Sequence, residues 1–188
     1  MEKEFKVDSL SVHIYEDKYE MGEGAADMAA ELIEKAIEVK DAATIILATG
    51  ASQFELLDSL SNRDIEWQKV AAFHLDEYVG IKSTHPASFR RYLNERFVEK
   101  VNIGTFYQIE GDCNNVEEEC RRLDREFASH KIDVAFLGIG ENGHLAFNEP
   151  PAIFDDNSSY KEIKLDEASR KQQMGEGWFN DFKDVPKG

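Results

Sequence analysis

Apolar residues recur along the chain with two alternating spacings, one helical and one typical of buried strands. The segment AADMAAELIEKAIEV (25–39) has a helical spacing, and the run ATIILA (43–48) is apolar throughout. The first pattern predicts an amphipathic helix and the second a strand buried on both faces. The predicted buried face of the helix consists of Met28, Leu32, Ile33, Ala36 and Ile37.

The same alternation continues to about residue 138. Helical segments are predicted at 52–60, 85–100 and 116–130, and short buried strands at 70–73 (VAAF) and 132–138 (IDVAFLG). The predicted apolar faces are Phe89, Tyr92, Leu93 and Phe97 in one helix, and Val116, Cys120, Leu123 and Phe127 in the next. This order predicts one α/β domain over 1–188, with an open, mostly parallel sheet and helices on both faces.

Composition and charge restrict the classes of partner. The chain has 38 acidic residues against 22 Lys and Arg, a formal net charge of −16. Nucleic acid and anionic membranes require a basic surface, so neither is expected as a partner. The chain shows no apolar run long enough to cross a bilayer, its first residues lack the apolar region of a secretory leader, so none is expected, and Cys113 and Cys120 have no metal-binding spacing. The expectation is a cytoplasmic protein with reduced cysteines.

Three loops follow the predicted strands, and open α/β sheets bind ligands at that edge. In the first, ATGAS (48–52), Ser52 precedes Glu55 by three residues, a capping-box pattern. A helix N-terminus there would favour a phosphate, whereas the simpler interpretation is an ordinary strand–turn–helix junction with a serine cap. The candidate anion-binding residues are Thr49, Gly50, Ala51 and Ser52.

The second loop, HLDEYVG (74–80), contains two adjacent carboxylates. Neighbouring side chains of an extended chain point in opposite directions, so one of Asp76 and Glu77 can face a cleft while the other turns into the scaffold. A partly enclosed carboxylate can act as a general base. The alternative is a solvated acidic turn, and His74 is interpreted as a wall of the pocket.

The third loop, GIGENGHLAFNEP (138–150), contains a GxGxxG spacing. A dinucleotide-binding fingerprint needs a helix that starts within the motif, and Pro150 and Pro151 would end such a helix within about two turns. The glycines, Gly140 and Gly143 among them, are instead interpreted as allowing a tight backbone path beside a ligand. The chemical groups are Asn142, His144 and Glu149, and a histidine near an acid can shuttle protons.

LDEYVG, the HPASF stretch after it and GIGENGHLAFNEP resemble the glucosamine-6-phosphate deaminase (isomerase) family. The resemblance runs from about residue 20 to the end and includes MGEGWFNDFKDVPK, which is similar to a branch of that family. It implies a Rossmann-like three-layer fold, no metal or organic cofactor, and an amino-sugar phosphate as the small-molecule partner. A homo-oligomer is compatible with it.

The resemblance also implies roles for single residues. Asp76 matches the base that moves a proton between C2 and C1, and His144 matches the residue that opens the sugar ring, with Glu149 supporting it. Thr49 to Ser52 match the phosphate loop. Many members have aspartate where this chain has Asn142, and an amide can orient His144 but cannot titrate like a carboxylate.

The C-terminal part departs further from the family pattern. A phosphate-binding arginine of the family is not matched by QQMGEGWF, and its phosphate-binding lysine is expected in a C-terminal portion that the chain lacks. Arg170 and Lys171 are the nearby cations. Two alternatives to a deaminase therefore remain, a hydrolase of the sister 6-phosphogluconolactonase family and a non-catalytic sugar-phosphate-binding protein or inactive fragment.

Overall fold

A computed structural model describes residues 2–140, 143–148, 153–175 and 177–188. The chain begins with an antiparallel hairpin of β1 (Lys3–Val7) and β2 (Leu10–Ile14), which the hydrophobic pattern does not predict. Helix α1 (Lys18–Lys40) follows, and the Asp17 carboxylate caps it by accepting hydrogen bonds from two N–H groups of the first turn. None of the described helices is both long and apolar enough to cross a membrane.

A parallel sheet of four strands forms the centre of the molecule. Its strands are β3 (Ala43–Leu47), β4 (Val70–His74), β5 (Thr105–Tyr107) and β6 (Val134–Ala135), in the spatial order β5-β4-β3-β6. Ile45 of β3 pairs with Ala72 on one side and with Val134 on the other. The chain therefore moves outward in one direction from β3 to β5 and then returns to the other side of β3.

The remaining helices connect or follow these strands. They are α2 (Phe54–Ser61), α3 (Phe89–Leu93), which runs through a π-helical segment (Asn94–Val98) into α4 (Glu99–Val101), α5 (Val116–Ala128) and α6 (Glu167–Gly175). Residues of α1, α2 and α3 share one core cluster with Ile45 and Ala72. On the other face, the Phe73 ring packs edge-on against Phe127 of α5. The predicted three-layer α/β fold, with helices on both faces, is confirmed.

The predicted buried face of α1 is wrong in two positions. Met28 and Leu32 are each 49% exposed, whereas Ile33, Ala36 and Ile37 are buried together with three further alanines. The small residues face inward because α2 approaches α1 closely, and a Cβ added at Gly22 would lie 2.7 Å from the Glu55 carbonyl carbon. Residue size at the helix contact therefore decided the buried face.

The third predicted strand differs from the expectation as well. Only Val134–Ala135 of the run 132–138 is strand, and within the described residues it pairs with β3 alone, at the edge of the sheet. Ala135 is exposed and Leu137 is 46% exposed, so this strand is not buried on both sides. An apolar run by itself does not reveal which strand lies at a sheet edge.

Candidate active site

The strand order has its reversal between β3 and β6, and the loops after these two strands open a crevice at that point. Such topological switch points are the usual ligand sites of open α/β sheets. The loop after β4 reaches the same crevice, so all three predicted loops line one cleft. Its described lining consists of Ala48, Thr49, Gly50, Ala51, Ser52, Leu75, Asp76, Phe89, Gly138, Ile139, Gly140, His144, Ala146, Phe147, Gln172, Gln173 and Trp178.

The loop after β3 presents backbone donors. Gly50 has φ +103°, a left-handed conformation that glycine adopts readily. Within the described residues, the N–H groups of Gly50, Ala51 and Ser52 donate no hydrogen bond. Three free donors on a cleft wall, just before a helix, are suited to an anion.

The serine cap predicted for this loop is wrong. Residues Ala51–Gln53 form a 3-10 turn before α2, and the Ser52 hydroxyl accepts from the Gln53 amide at 3.2 Å and caps no N–H group. Glu55 pairs with Lys18. The 3-10 turn displaces the start of α2 by two residues, so the Ser52–Glu55 spacing no longer spans a helix cap.

The loop after β4 separates its two carboxylates, as the extended-chain geometry predicts. Asp76 lines the cleft, while Glu77 turns into the scaffold. The Glu77 carboxylate accepts hydrogen bonds from the N–H groups of Phe89 and Arg90 at 3.1 and 2.8 Å and from the Ser88 hydroxyl at 2.9 Å. It thereby holds the Asp76 backbone against the start of α3.

The Asp76 carboxyl group is poised for proton exchange. It makes no hydrogen bond within the described part of the chain, and burial raises its pKa from the usual 3.8 to about 7, with a further contribution from the Glu77 charge. A carboxyl group with a pKa near neutrality is well matched to general acid–base chemistry. Asp76 itself remains partly accessible from the cleft.

His74 is not among the described residues that line the cleft, so its interpretation as a wall of the pocket stays a prediction. It is fully buried, and its Nδ1 accepts from the Ile109 N–H at 3.4 Å. Burial, with the nearby Arg90 charge, lowers the pKa of His74 to about 3, so the imidazole stays neutral. It is not in position to exchange protons with a ligand.

The loop after β6 places the His144 ring directly over Gly140. A Cβ added at Gly140 would lie 2.3 Å from His144 Cε1, so no larger residue fits there without moving the ring. The His144 ring also stacks on Phe147, with centroids 5.7 Å apart. Gly143 has φ +84°, and Ala146 and Phe147 also adopt positive φ, so the backbone turns tightly here. No helix starts within the described residues of this loop, consistent with rejecting the dinucleotide motif.

Two of the predicted site residues, Asn142 and Glu149, lie outside the described residues. The His144 side chain is already in contact with other residues, Phe147 among them. Asp76, His144 and the Gly50–Ser52 backbone line the same cleft. These three predicted groups are thus brought together around one space; Gly140 also lines it, whereas Gly143 is not among its described lining residues.

Helix α6 and the turn after it add Gln172, Gln173 and Trp178 to the cleft, and sequence reasoning assigned these residues no role. The QQMGEGWF stretch was the available signal, but the side chains of Gln172, Gln173 and Trp178 carry no acid–base chemistry. Their position in the cleft follows from contacts that tie α6 to Tyr78 and to the C-terminal segment.

The two cations suggested for phosphate have other partners. Arg170 donates to the backbone carbonyls of Phe182, Val185 and Pro186, and Lys171 pairs with Glu167 at the surface. Neither lines the cleft. The described residues also contain no cluster of three or more His, Cys, Asp or Glu arranged around a common point, and both cysteines are free thiols.

These features define an α/β protein with a cleft at the topological switch point, lined by the backbone of the β3 loop and by a carboxyl group whose pKa is raised by burial. Over residues 16–172 the chain matches the family of glucosamine-6-phosphate isomerases and 6-phosphogluconolactonases, and it belongs to that family.

Named relatives agree with this assignment. The chain is 30% identical over 178 residues to a glucosamine-6-phosphate deaminase of Lactobacillus delbrueckii subsp. bulgaricus, covering 95% of this chain and 72% of the relative. It is 35% identical over 158 residues to one of Listeria monocytogenes, covering 84% of this chain and 66% of the relative. These shares mean that the chain spans about two thirds to three quarters of those relatives.

Solved structures give the same result. A monomeric glucosamine-6-phosphate deaminase superposes with a TM-score of 0.81 at 29% identity, covering 92% of this chain and 71% of that one. A 6-phosphogluconolactonase from Plasmodium vivax superposes with a TM-score of 0.73 at 17% identity, covering 98% of this chain and 72% of that one. The second likeness concerns the fold alone.

Proposed function

We propose that the protein converts glucosamine 6-phosphate and water to fructose 6-phosphate and ammonia. The observation that carries this proposal is the Asp76 carboxyl group, with its pKa near 7, in one cleft with the N–H groups of Gly50, Ala51 and Ser52, which donate no hydrogen bond to any described residue. A base and an anion cradle in one cleft suit isomerisation of a sugar phosphate. The named relatives favour the deaminase reaction over lactone hydrolysis.

The proposed reaction begins with ring opening. His144 transfers a proton between the ring oxygen and the C1 hydroxyl, which yields the open-chain amino aldehyde. Glu149 is proposed to support His144, and Asn142 to orient it by hydrogen bonding. A histidine is suited to this step because its ordinary pKa lies near neutrality.

Asp76 then moves a proton from C2 to C1 through an enediol-type intermediate. The ionised carboxylate removes the C2 proton, and the carboxylic acid so formed returns a proton to C1. A second proton passes from the amino nitrogen to the C1 oxygen, so the product is a 2-imino sugar phosphate with a C1 hydroxyl. Water then adds to the C=N bond, and cleavage of the C–N bond releases ammonia and the ketose. The phosphate stays on the Thr49–Ser52 loop, and Gly140 and Gly143 let the backbone pass close to the sugar.

The test is an assay of ammonia release from glucosamine 6-phosphate and galactosamine 6-phosphate, with hydrolysis of 6-phosphogluconolactone measured in parallel. Ammonia release with formation of fructose 6-phosphate is the expected result. Lactone hydrolysis without ammonia release would assign the protein to the sister activity. Binding of the sugar phosphates without turnover would instead indicate a non-catalytic binding protein.

The proposed activity would belong to the breakdown of N-acetylglucosamine-derived amino sugars in the cytoplasm. A homo-oligomer is a further proposal from the family resemblance, although one solved relative is monomeric. Light scattering on the purified protein decides between the two states.

A further inference from the structure

The cleft contains no lysine or arginine among its described lining residues. The whole chain carries a formal charge of −16, and the Asp76 carboxylate adds local negative charge when it ionises. A phosphate dianion bound here therefore depends on neutral hydrogen-bond donors. The backbone N–H groups of Gly50, Ala51 and Ser52 supply one set of donors, and α6 supplies side-chain amides on the cleft.

Gln173 has its amide orientation fixed by a buried hydrogen bond. The Tyr78 hydroxyl donates to Gln173 Oε1 at 2.5 Å, and the Gln173 residue is only 8% exposed. Because the oxygen is engaged, the NH₂ end of the amide is the part left for another partner. It forms no hydrogen bond within the described part of the chain, and the residue lines the cleft.

Both partners of this hydrogen bond are held by packing. The Tyr78 ring is 1% exposed, and it contacts the rings of Phe89 and Phe179 at centroid distances of 4.7 and 5.5 Å. Arg170 lies one turn before Gln173 and holds helix α6 in place. Its guanidinium group donates hydrogen bonds to three backbone carbonyls of the C-terminal segment. The direction of the amide is therefore set before any ligand arrives, which lowers the entropy cost of binding.

We propose that Gln173 is a further substrate-binding residue, whose Nε2 group donates a hydrogen bond to the phosphate of the substrate. This inference rests on the proposed function, since it takes a sugar phosphate as the ligand of the cleft. Tyr78 is a positioning residue that keeps the donor end of the amide toward the cleft. The phosphate is then held between the backbone N–H groups of the β3 loop and an amide from α6.

The experiment compares three variants by calorimetric titration with fructose 6-phosphate and with inorganic phosphate, and by steady-state kinetics. Gln173→Met removes the donors at similar volume. Gln173→Glu keeps an oxygen for the Tyr78 hydroxyl but replaces the donors with a negative charge. Tyr78→Phe removes only the hydroxyl that orients the amide. Gln108→Met, at a half-buried glutamine outside the cleft, is the matched control.

Gln173→Met should weaken the binding of both ligands by about 10- to 100-fold, as expected for a hydrogen bond to a charged group. It should raise KM by a similar factor and leave kcat nearly unchanged, the signature of lost uniform binding. Gln173→Glu should weaken binding further, Tyr78→Phe less, and Gln108→Met should bind like the wild type. Thermal melting of each variant checks that it is folded.

Two results would overturn the inference. One is wild-type affinity of folded Gln173→Met or Gln173→Glu for phosphate. The other is a Gln173 variant that loses affinity for fructose 6-phosphate but not for inorganic phosphate, which would show that the amide contacts the sugar and not the phosphate. If the wild type binds phosphate but releases no ammonia, the proposed reaction fails while the phosphate role is still measured. If the wild type deaminates and Gln173→Met keeps its KM, only the Gln173 role fails.

Discussion

Asp76 is the side chain on which the proposed reaction depends most directly. Replacement by asparagine keeps its shape but removes its basicity, and a positioned general base typically contributes about 10²- to 10⁴-fold to the rate. We expect Asp76→Asn to lower kcat by about that factor and to leave KM nearly unchanged. Solvent deuterium incorporation at C1 of the product measures the transfer, and exchange at a near wild-type rate would show that Asp76 is not the base.

The raised pKa of Asp76 gives a prediction about pH. The carboxyl group must be ionised to remove the C2 proton, and burial raises its pKa to about 7. Therefore kcat/KM should rise with pH, with an apparent midpoint about 7 in the free protein. A flat profile between about pH 5 and 8 would contradict the assignment, because an ordinary aspartate is fully ionised there.

Gly140 tests whether the position of the His144 ring matters. Alanine at this position would place a methyl group 2.3 Å from His144 Cε1, so the ring must move. We expect Gly140→Ala to lower kcat by about 10²-fold, as small misplacements of reacting groups do. Gly175→Ala is the control because an added Cβ there meets nothing within 4 Å. Equal activity of the two variants would argue against a role for the ring.

The junction between β4 and α3 is organised around one carboxylate. Glu77 accepts the first N–H groups of α3 and the Ser88 hydroxyl, so the residue next to the proposed base also caps a helix. Its charge is a secondary cause of the raised pKa of Asp76, after burial. The Glu77 side chain therefore contributes both to the stability of α3 and to the pKa of Asp76.

Glu77→Gln separates those two contributions. The amide has one acceptor oxygen in place of two, so the free energy of unfolding should fall by about 1–3 kcal/mol. Loss of the negative charge should also lower the pKa of Asp76, so the midpoint of kcat/KM should move to lower pH. Thermal melting and the pH profile measure the two effects. Glu38→Gln, on the exposed side of α1, should change neither.

The net negative charge of the whole molecule should slow the approach of the proposed anionic substrate. A protein with a formal charge of −16 repels a phosphate dianion at long range, and salt screens that repulsion over about 10 Å at 0.1 M. We expect kcat/KM to rise on the order of threefold between about 10 and 150 mM sodium chloride. Sulfate should do the opposite by competing for the anion cradle. A fall with chloride would indicate a local positive field at the cleft.

The sequence by itself determined the α/β layout and the three loops of the cleft. The parallel strands begin within short, mainly apolar runs, even though the third run is a half-exposed edge strand, and the polar residues that follow parallel strands must lie at one edge of the sheet. That rule predicts that Thr49–Ser52, Asp76 and His144 lie close together, and all of them line the cleft. The opposite directions of Asp76 and Glu77 also followed from the geometry of extended chain alone.

Only the tertiary structure decided which surfaces pack together. The alanine side of α1 is buried because α2 approaches closely, β6 is an edge strand because within the described residues it pairs with β3 alone, and Ser52 is not a cap because a 3-10 turn precedes α2. Gln173 lines the cleft because Arg170 ties α6 to the C-terminal segment and the Tyr78 hydroxyl donates a hydrogen bond to its amide oxygen. These contacts join residues far apart in the chain, so local sequence patterns carry no information about them.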